Sequence, residues 1–204
     1  MIEAAIHCRF AAAFTLPAFS SYVAEKLAPY PDIHAGGVIS FPGGGDTTSQ
    51  KYRQAKELRE AGCEELDMVM NLTALRSHED QYVLEDIAAV REAAGKDILK
   101  VIIEAPQLTG EEIHRAVNLC IQAGADYVKT STGWYPSHPS ALSHIQDTIT
   151  THPYLSGKDF PSFFHGEDPG VKKTNVHSVP PSNSLADRFS GPKLFGKSSS
   201  RLKI

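Results

Sequence analysis

The sequence predicts an α/β fold, and within that class a (β/α)8 TIM barrel, on three observations. Apolar runs at 10–16, 35–41, 65–71, 98–105 and 126–129 recur at intervals of roughly 25 to 33 residues, with helix-like stretches between them. That rhythm is the one of βα units feeding a parallel sheet. The runs are nearly continuous rather than alternating, as strands covered on both faces are. Finally, the charged residues Asp67, Lys100, Glu104 and Lys129 stand in or at the ends of different strands. Barrels assemble their sites from several strand ends in just this manner. No Gly-x-Gly-x-x-Gly turn follows the first run, which argues against a dinucleotide-binding sheet.

Each element has a local reason. The first run stops at Pro17, and a helix is expected over 19–27. The second is broken by Pro42-Gly43-Gly44-Gly45, after which Asp46-Thr47-Thr48-Ser49 supplies cap residues for a helix carrying Tyr52, Ala55, Leu58 and Ala61, ended by Gly62. The third run, 65–71, leads through a short polar connection into a helix over 82–94. The fourth is rich in β-branched residues, and Thr109-Gly110-Glu111-Glu112 opens the helix of Ile113, Ala116, Val117 and Cys120. A small-residue turn, Ala123-Gly124-Ala125, introduces the fifth.

With 204 residues, 41% hydrophobic and 22% charged, the chain has enough apolar material for one sizeable core and is short for two. Its net charge of -4 gives no reason to expect nucleic acid or an anionic membrane as partner. No apolar run approaches the roughly 18 residues of a membrane span, and the N-terminus has no signal-peptide pattern. Cys8, Cys63 and Cys120 are odd in number and unevenly spaced, which fits reduced thiols in small core positions of a cytoplasmic protein. The nine histidines are scattered, with no ligand spacing that calls for a metal, and no cofactor is expected.

The fifth run carries the chemistry. Asp126-Tyr127-Val128-Lys129-Thr130-Ser131-Thr132-Gly133 places a lysine at the end of a core strand, next to hydroxyl residues and a glycine. Burial disfavours an ammonium, and a neutral lysine amine can attack a carbonyl to form a Schiff base. Spacing alone favours the plainer alternative, a strand-end lysine reaching water along its methylene stem.

Val128-Lys129-Thr130-Ser131-Thr132-Gly133 resembles the Schiff-base lysine motif of the deoxyribose-phosphate aldolases. Three earlier segments are similar to that family in the right order. Val38-Ile39-Ser40-Phe41-Pro42-Gly43-Gly44 resembles its second strand and Phe-Pro-x-Gly loop, Glu65-Leu66-Asp67-Met68-Val69-Met70-Asn71 its third strand, and Leu99-Lys100-Val101-Ile102-Ile103-Glu104 its fourth. The resemblance covers about residues 10–150. It implies a metal-free class I aldolase that cleaves 2-deoxy-D-ribose 5-phosphate reversibly to glyceraldehyde 3-phosphate and acetaldehyde, in deoxyribonucleotide and carbohydrate catabolism. Lys129 would be the nucleophile, Asp67 would shuttle a proton through ordered water, and Lys100 would hold the charge of Asp67. A second lysine of the family, in a Gly-x-Lys-x-x-Gly-Gly strand, keeps the nucleophile's amine neutral by like-charge proximity. Lys172 is its candidate. Thr130, Ser131, Gly196, Ser198 and Ser199 are the candidates for holding the substrate and its phosphate. The partner would be a small sugar phosphate, and a homodimer is left open.

The chain also departs from the family. No Asp-His-Thr segment precedes the first strand, and the cysteine of that strand has no counterpart, with Ala12 and Ala13 in its neighbourhood. Lys173-Thr174-Asn175-Val176 stands where the Gly-Gly phosphate loop is expected. The expected organisation is therefore a barrel portion with strands one to five over 1–151, then a divergent or poorly ordered part of the same barrel over 152–204. The barrel would lack its first segment. Two other readings stay open at this point, another Schiff-base sugar-phosphate aldolase and a non-catalytic aldolase-like protein.

Overall fold

The computed structural model describes residues 1–135. Five strands among them, β1 (Ala12–Thr15), β2 (His34–Ile39), β3 (Glu65–Val69), β4 (Ile98–Ile102) and β5 (Tyr127–Lys129), form one parallel sheet in the order of the sequence. A doubly wound sheet would reverse direction after its first strands. This one never does, and its course is that of a (β/α)8 barrel. The helices are α1 (Ile2–Cys8), α2 (Ser20–Leu27), α3 (Thr48–Glu60), α4 (Leu72–Arg76), α5 (Asp80–Ala94) and α6 (Gly110–Gln122).

Local chemistry sets the helix boundaries. Thr47 caps α3 and Thr109 caps α6, each in a capping box closed by Gln50 and Glu112. The Thr109 backbone N–H donates to Glu112 Oε2 at 2.8 Å, and that bond draws the Glu112 carboxyl below the usual carboxylate range. Two helices lie outside the sequence expectations. The first is α1, whose Ala5 packs with Ala13, Val23, Leu27, Ile33 and Ala35. The other is α4, within the connection expected to be polar, where the Asn71 side chain accepts from the Ala74 N–H and Leu75 is buried.

Strand register divides the sheet into two chemically different faces. Leu66, Met68, Leu99, Val101 and Val128 lie on one face and pack with Leu58, Val83, Ile87, Val90, Ile113 and Val117 of the helices in a single core. The opposite face carries Phe14, His34, Gly36, Glu65, Asp67, Lys100, Tyr127 and Lys129. This is the face that a barrel turns inward. A buried ion pair braces the outer layer, with Lys51 Nζ donating to Asp86 Oδ2 at 2.5 Å and to the Val69 carbonyl at 3.2 Å.

Cys63 and Cys120 are buried as expected, and burial pushes both thiols up. Cys8 is exposed, a correction to the expectation of three core cysteines, because it ends α1 on its outer side. No helix among the described residues is long and apolar enough to cross a membrane. The expected boundary at 151/152, Lys172 and the loop of Gly196, Ser198 and Ser199 lie outside the described residues.

Candidate active site

Parallel register is what brings the charged residues together. Asp67 pairs with Lys100 across β3 and β4, and Ile102 pairs with Lys129 across β4 and β5. Since residues two apart on a strand share a face, Asp67, Lys100 and Lys129 project into the same space. Lys129 ends β5 and Asp67 is central in β3, so the pair lies toward the carboxyl ends of the strands.

Lys129 Nζ donates to Asp67 Oδ2 at 2.6 Å. The two side chains differ in environment, Lys129 being 37% exposed and Asp67 1%. Lys129 can therefore meet a solute from the open side while its counter-ion stays dry. Asp67 Oδ1 is buried and has no hydrogen-bond partner among the described residues. Burial holds the Asp67 carboxyl above its ordinary range, outweighing the attraction of Lys129 and, more weakly, of Lys100, with Glu65 adding repulsion. A carboxyl raised in this way, with one oxygen uncommitted, can take and return a proton closer to neutral pH.

Lys100 acts on the charge of Asp67 without touching it. Its ammonium contacts Glu65 Oε2, while the other oxygen of Glu65 is 2.9 Å from His34 Nδ1. Lys100 thus touches Glu65 rather than Asp67 and acts on Asp67 through its field alone. The cause is geometric. Glu65 lies two residues before Asp67 on the same face, nearly dry, and it draws the lysine toward the amino ends of the strands. The polar face thus holds two polar clusters in series, His34–Glu65–Lys100 below and Asp67–Lys129 above.

Glu104 lies just beyond β4 in a left-handed conformation (φ 48°), 1% exposed. Such backbone is strained for a residue with a Cβ and tends to persist where a function or a tertiary contact holds it. Its carboxylate accepts from the Thr132 N–H at 3.0 Å and the Thr132 hydroxyl at 2.5 Å. The Ala105 N–H donates to the Thr130 carbonyl at 2.6 Å, so the loop of Thr130, Ser131 and Thr132 is pinned to the end of β4. Thr130 and Ser131 are half-buried beside Lys129.

Five residues of this face had no assigned part in the sequence reading: Phe14, His34, Gly36, Glu65 and Tyr127. The alternation of Glu65 and Asp67 along one strand was the available signal for Glu65. No group of three or more His, Cys, Asp or Glu placed to hold a metal ion is found among the described residues.

Fold and site together define an α/β barrel with an amine–carboxylate pair on its inner face. Residues 2–160 match the family model of the DeoC/LacD family aldolases. The chain belongs to that family. It is 42% identical over 137 residues to the deoxyribose-phosphate aldolase of Sinorhizobium medicae, a match covering 67% of this chain and 55% of the relative. With the deoxyribose-phosphate aldolase of Bacillus cytotoxicus it shares 44% over 135 residues, 66% of this chain and 60% of that one. The tetrameric deoxyribose phosphate aldolase structure from Aeropyrum pernix superposes with a TM-score of 0.61 at 28% identity, covering 72% of this chain and 64% of that one. The chain thus spans between 55% and 60% of the length of these two bacterial relatives.

Proposed function

We propose that this chain is a class I aldolase that cleaves 2-deoxy-D-ribose 5-phosphate reversibly through a Schiff base on Lys129. The observation that carries this reading is the 2.6 Å contact between a half-open lysine and a dry carboxylate whose other oxygen has no hydrogen-bond partner among the described residues. Asp67 accepts a proton from the Lys129 ammonium, and the freed amine attacks the aldehyde carbon of the open-chain sugar. A C–N bond forms, a proton passes from the nitrogen to the oxygen to give a carbinolamine, and Asp67 returns its proton to that hydroxyl, which departs as water to leave a protonated imine. Asp67, an anion again, accepts through a water the proton of the hydroxyl at carbon 3, and the bond between carbons 2 and 3 breaks. Its electron pair moves to the iminium, giving an enamine, and glyceraldehyde 3-phosphate leaves. Asp67, through a water, returns a proton to the enamine carbon, and hydrolysis releases acetaldehyde and the free amine. Amine, carboxylate, substrate and water supply every atom in this sequence.

Lys100 serves by charge. Its field and that of Lys129 favour the anion of Asp67, and Glu65 holds Lys100 in place. Thr130 and Ser131 face the substrate, and Gly196, Ser198 and Ser199 are the proposed phosphate loop, with Lys172 as the second lysine. Backbone N–H groups of glycine-rich turns normally hold a phosphate dianion. Because Lys173-Thr174-Asn175-Val176 stands where the Gly-Gly loop is expected after Lys172, deoxyribose 5-phosphate is expected to gain little over deoxyribose in competing KM measurements. A strong preference for the phosphorylated sugar would overturn that expectation. The reading extends to a cytoplasmic protein acting on a small sugar phosphate in deoxyribonucleotide catabolism, without nucleic acid or membrane partners.

Borohydride reduction with acetaldehyde, followed by peptide mass mapping, tests the central claim. The adduct is expected on Lys129 and absent in Lys129→Ala. Labelling of that variant at the original rate would exclude Lys129 as the nucleophile.

A further inference from the structure

Lys100 faces Asp67 in register from β4, on the same face of the sheet. An ammonium so placed would ordinarily pair with a carboxylate that is 1% exposed and has one oxygen unpartnered among the described residues. That pair is not made. The Lys100 side chain runs back by one residue pair, about 6–7 Å toward the amino ends of the strands, and its ammonium contacts Glu65 Oε2. The other oxygen of Glu65 is 2.9 Å from His34 Nδ1 on β2, so the carboxylate is fixed from both sides. Against a carboxylate that nitrogen serves as donor, and His34 therefore carries its hydrogen on Nδ1. Two rings complete the seat. Lys100 Nζ is 4.8 Å from the Phe14 centroid and 5.9 Å from that of Tyr127, its register partner, within the range of cation–π attraction. Phe14 fits there because it lies over Gly36, where a Cβ would meet its ring carbons at 2.5, 2.6 and 2.7 Å. Each of the other four strands thus contributes a side chain to where this one ammonium sits.

We infer that Glu65, braced by His34, is a positioning residue for proton transfer: it holds Lys100 off Asp67 and so leaves Asp67 Oδ1 open to a reacting water. This rests on Lys129 as the imine-forming lysine and deepens the part given to Asp67. A carboxyl can take and return a proton in turn only while its two protonation states lie close in free energy at the working pH. An ammonium in contact with Oδ1 would end that, because an opposite charge within about 4–6 Å lowers a carboxyl by roughly 1–3 pH units. With Lys129 on Oδ2 and Lys100 on Oδ1, both oxygens would be committed and Asp67 would stay an anion. Seated on Glu65, Lys100 still favours that anion from a distance, and Glu65 opposes it. The brace is reached from the wet side of the cluster, since the His34 side chain is 36% exposed and that of Glu65 6%.

The test separates imine formation from proton transfer in the full chain. Borohydride labelling by acetaldehyde reads the first. The second is read by NMR as deuterium uptake into the acetaldehyde methyl group in heavy water, an exchange that passes through the enamine. Uptake should rise with pH along a limb set by Asp67 losing its proton. Glu65→Gln is expected to move that limb at least about one pH unit lower, while Lys129 is still labelled. In the Lys100→Met background the same substitution should move it clearly less, because no ammonium is left to take Oδ1. His34→Ala should shift the limb in the same direction and serves if Glu65→Gln does not fold, and His34→Gln, which keeps a donor, should return it. An unmoved limb in a folded Glu65→Gln or His34→Ala variant overturns this inference and leaves the aldolase reading standing. A shift of equal size with and without Lys100 does the same, since Glu65 would then act by its own charge. Failure of acetaldehyde to label Lys129 in the unmodified chain overturns the two together.

Discussion

Asp67→Asn distinguishes a proton-transfer residue from a structural brace, because the two roles predict opposite combinations of rate and stability. The lost charge-assisted hydrogen bond to Lys129 is worth about 1.5–3 kcal/mol. Against it stands the burial of an anion that is 1% exposed with Oδ1 unpartnered among the described residues. Its raised pKa states which term is larger: burial. Between the ordinary value of 3.8 and the raised one, the folded protein binds the proton more tightly than the unfolded chain. The native protein therefore loses stability as pH rises through that window and carries the whole penalty above it. Asparagine carries none. Lys129, being 37% exposed, can turn to water when its partner is gone. At neutral pH the variant should therefore lie within about 1 kcal/mol of the native protein or above it, a few degrees in Tm. Removing one member of a wholly buried pair would instead cost about 3–5 kcal/mol. Melting curves from pH 4 to 8 should show the difference in Tm, variant minus native, growing with pH. Turnover should fall by about 10²-fold or more. A variant that loses several kcal/mol and keeps its rate would identify the contact as a brace, and a Tm difference shrinking as pH rises would refute the linkage.

The other expectations concern the scaffold around the site. Lys51→Met should destabilise by about 3–5 kcal/mol, because Asp86 would stay buried with only the Thr48 hydroxyl at 2.9 Å to bond it. Lys51→Met combined with Asp86→Leu should recover most of that loss in chemical denaturation, and a double variant no better than the single would show that packing, not charge, was at stake. Glu104→Ala frees the N–H and hydroxyl of Thr132 and should lower turnover roughly tenfold through a loosened 130–132 loop. Unaltered kinetics in that variant would mean that the loop is held elsewhere.

The sequence alone determined the α/β class and the strand positions, because both rest on local pattern. Apolar runs, the Thr47 and Thr109 caps and the glycines after α3 and α5 act within a few residues of themselves. The motif around Lys129 was equally legible as a resemblance. Short elements were not: α1 has 7 residues and α4 has 5, too few for a helical period to stand out, and tertiary contacts hold both. Partnership across the sheet was decided by the tertiary structure. Asp67 meets Lys129 across 62 residues of chain, while Lys100, facing Asp67 in register, turns to Glu65 instead. Neither choice has a local signature, because it depends on strand order, on register and on which carboxylate is nearer and drier. Phe14 makes the same point from the apolar side. In the sequence it is one more hydrophobic residue of a strand, and only its pairing with Gly36 puts a ring beneath the two lysines.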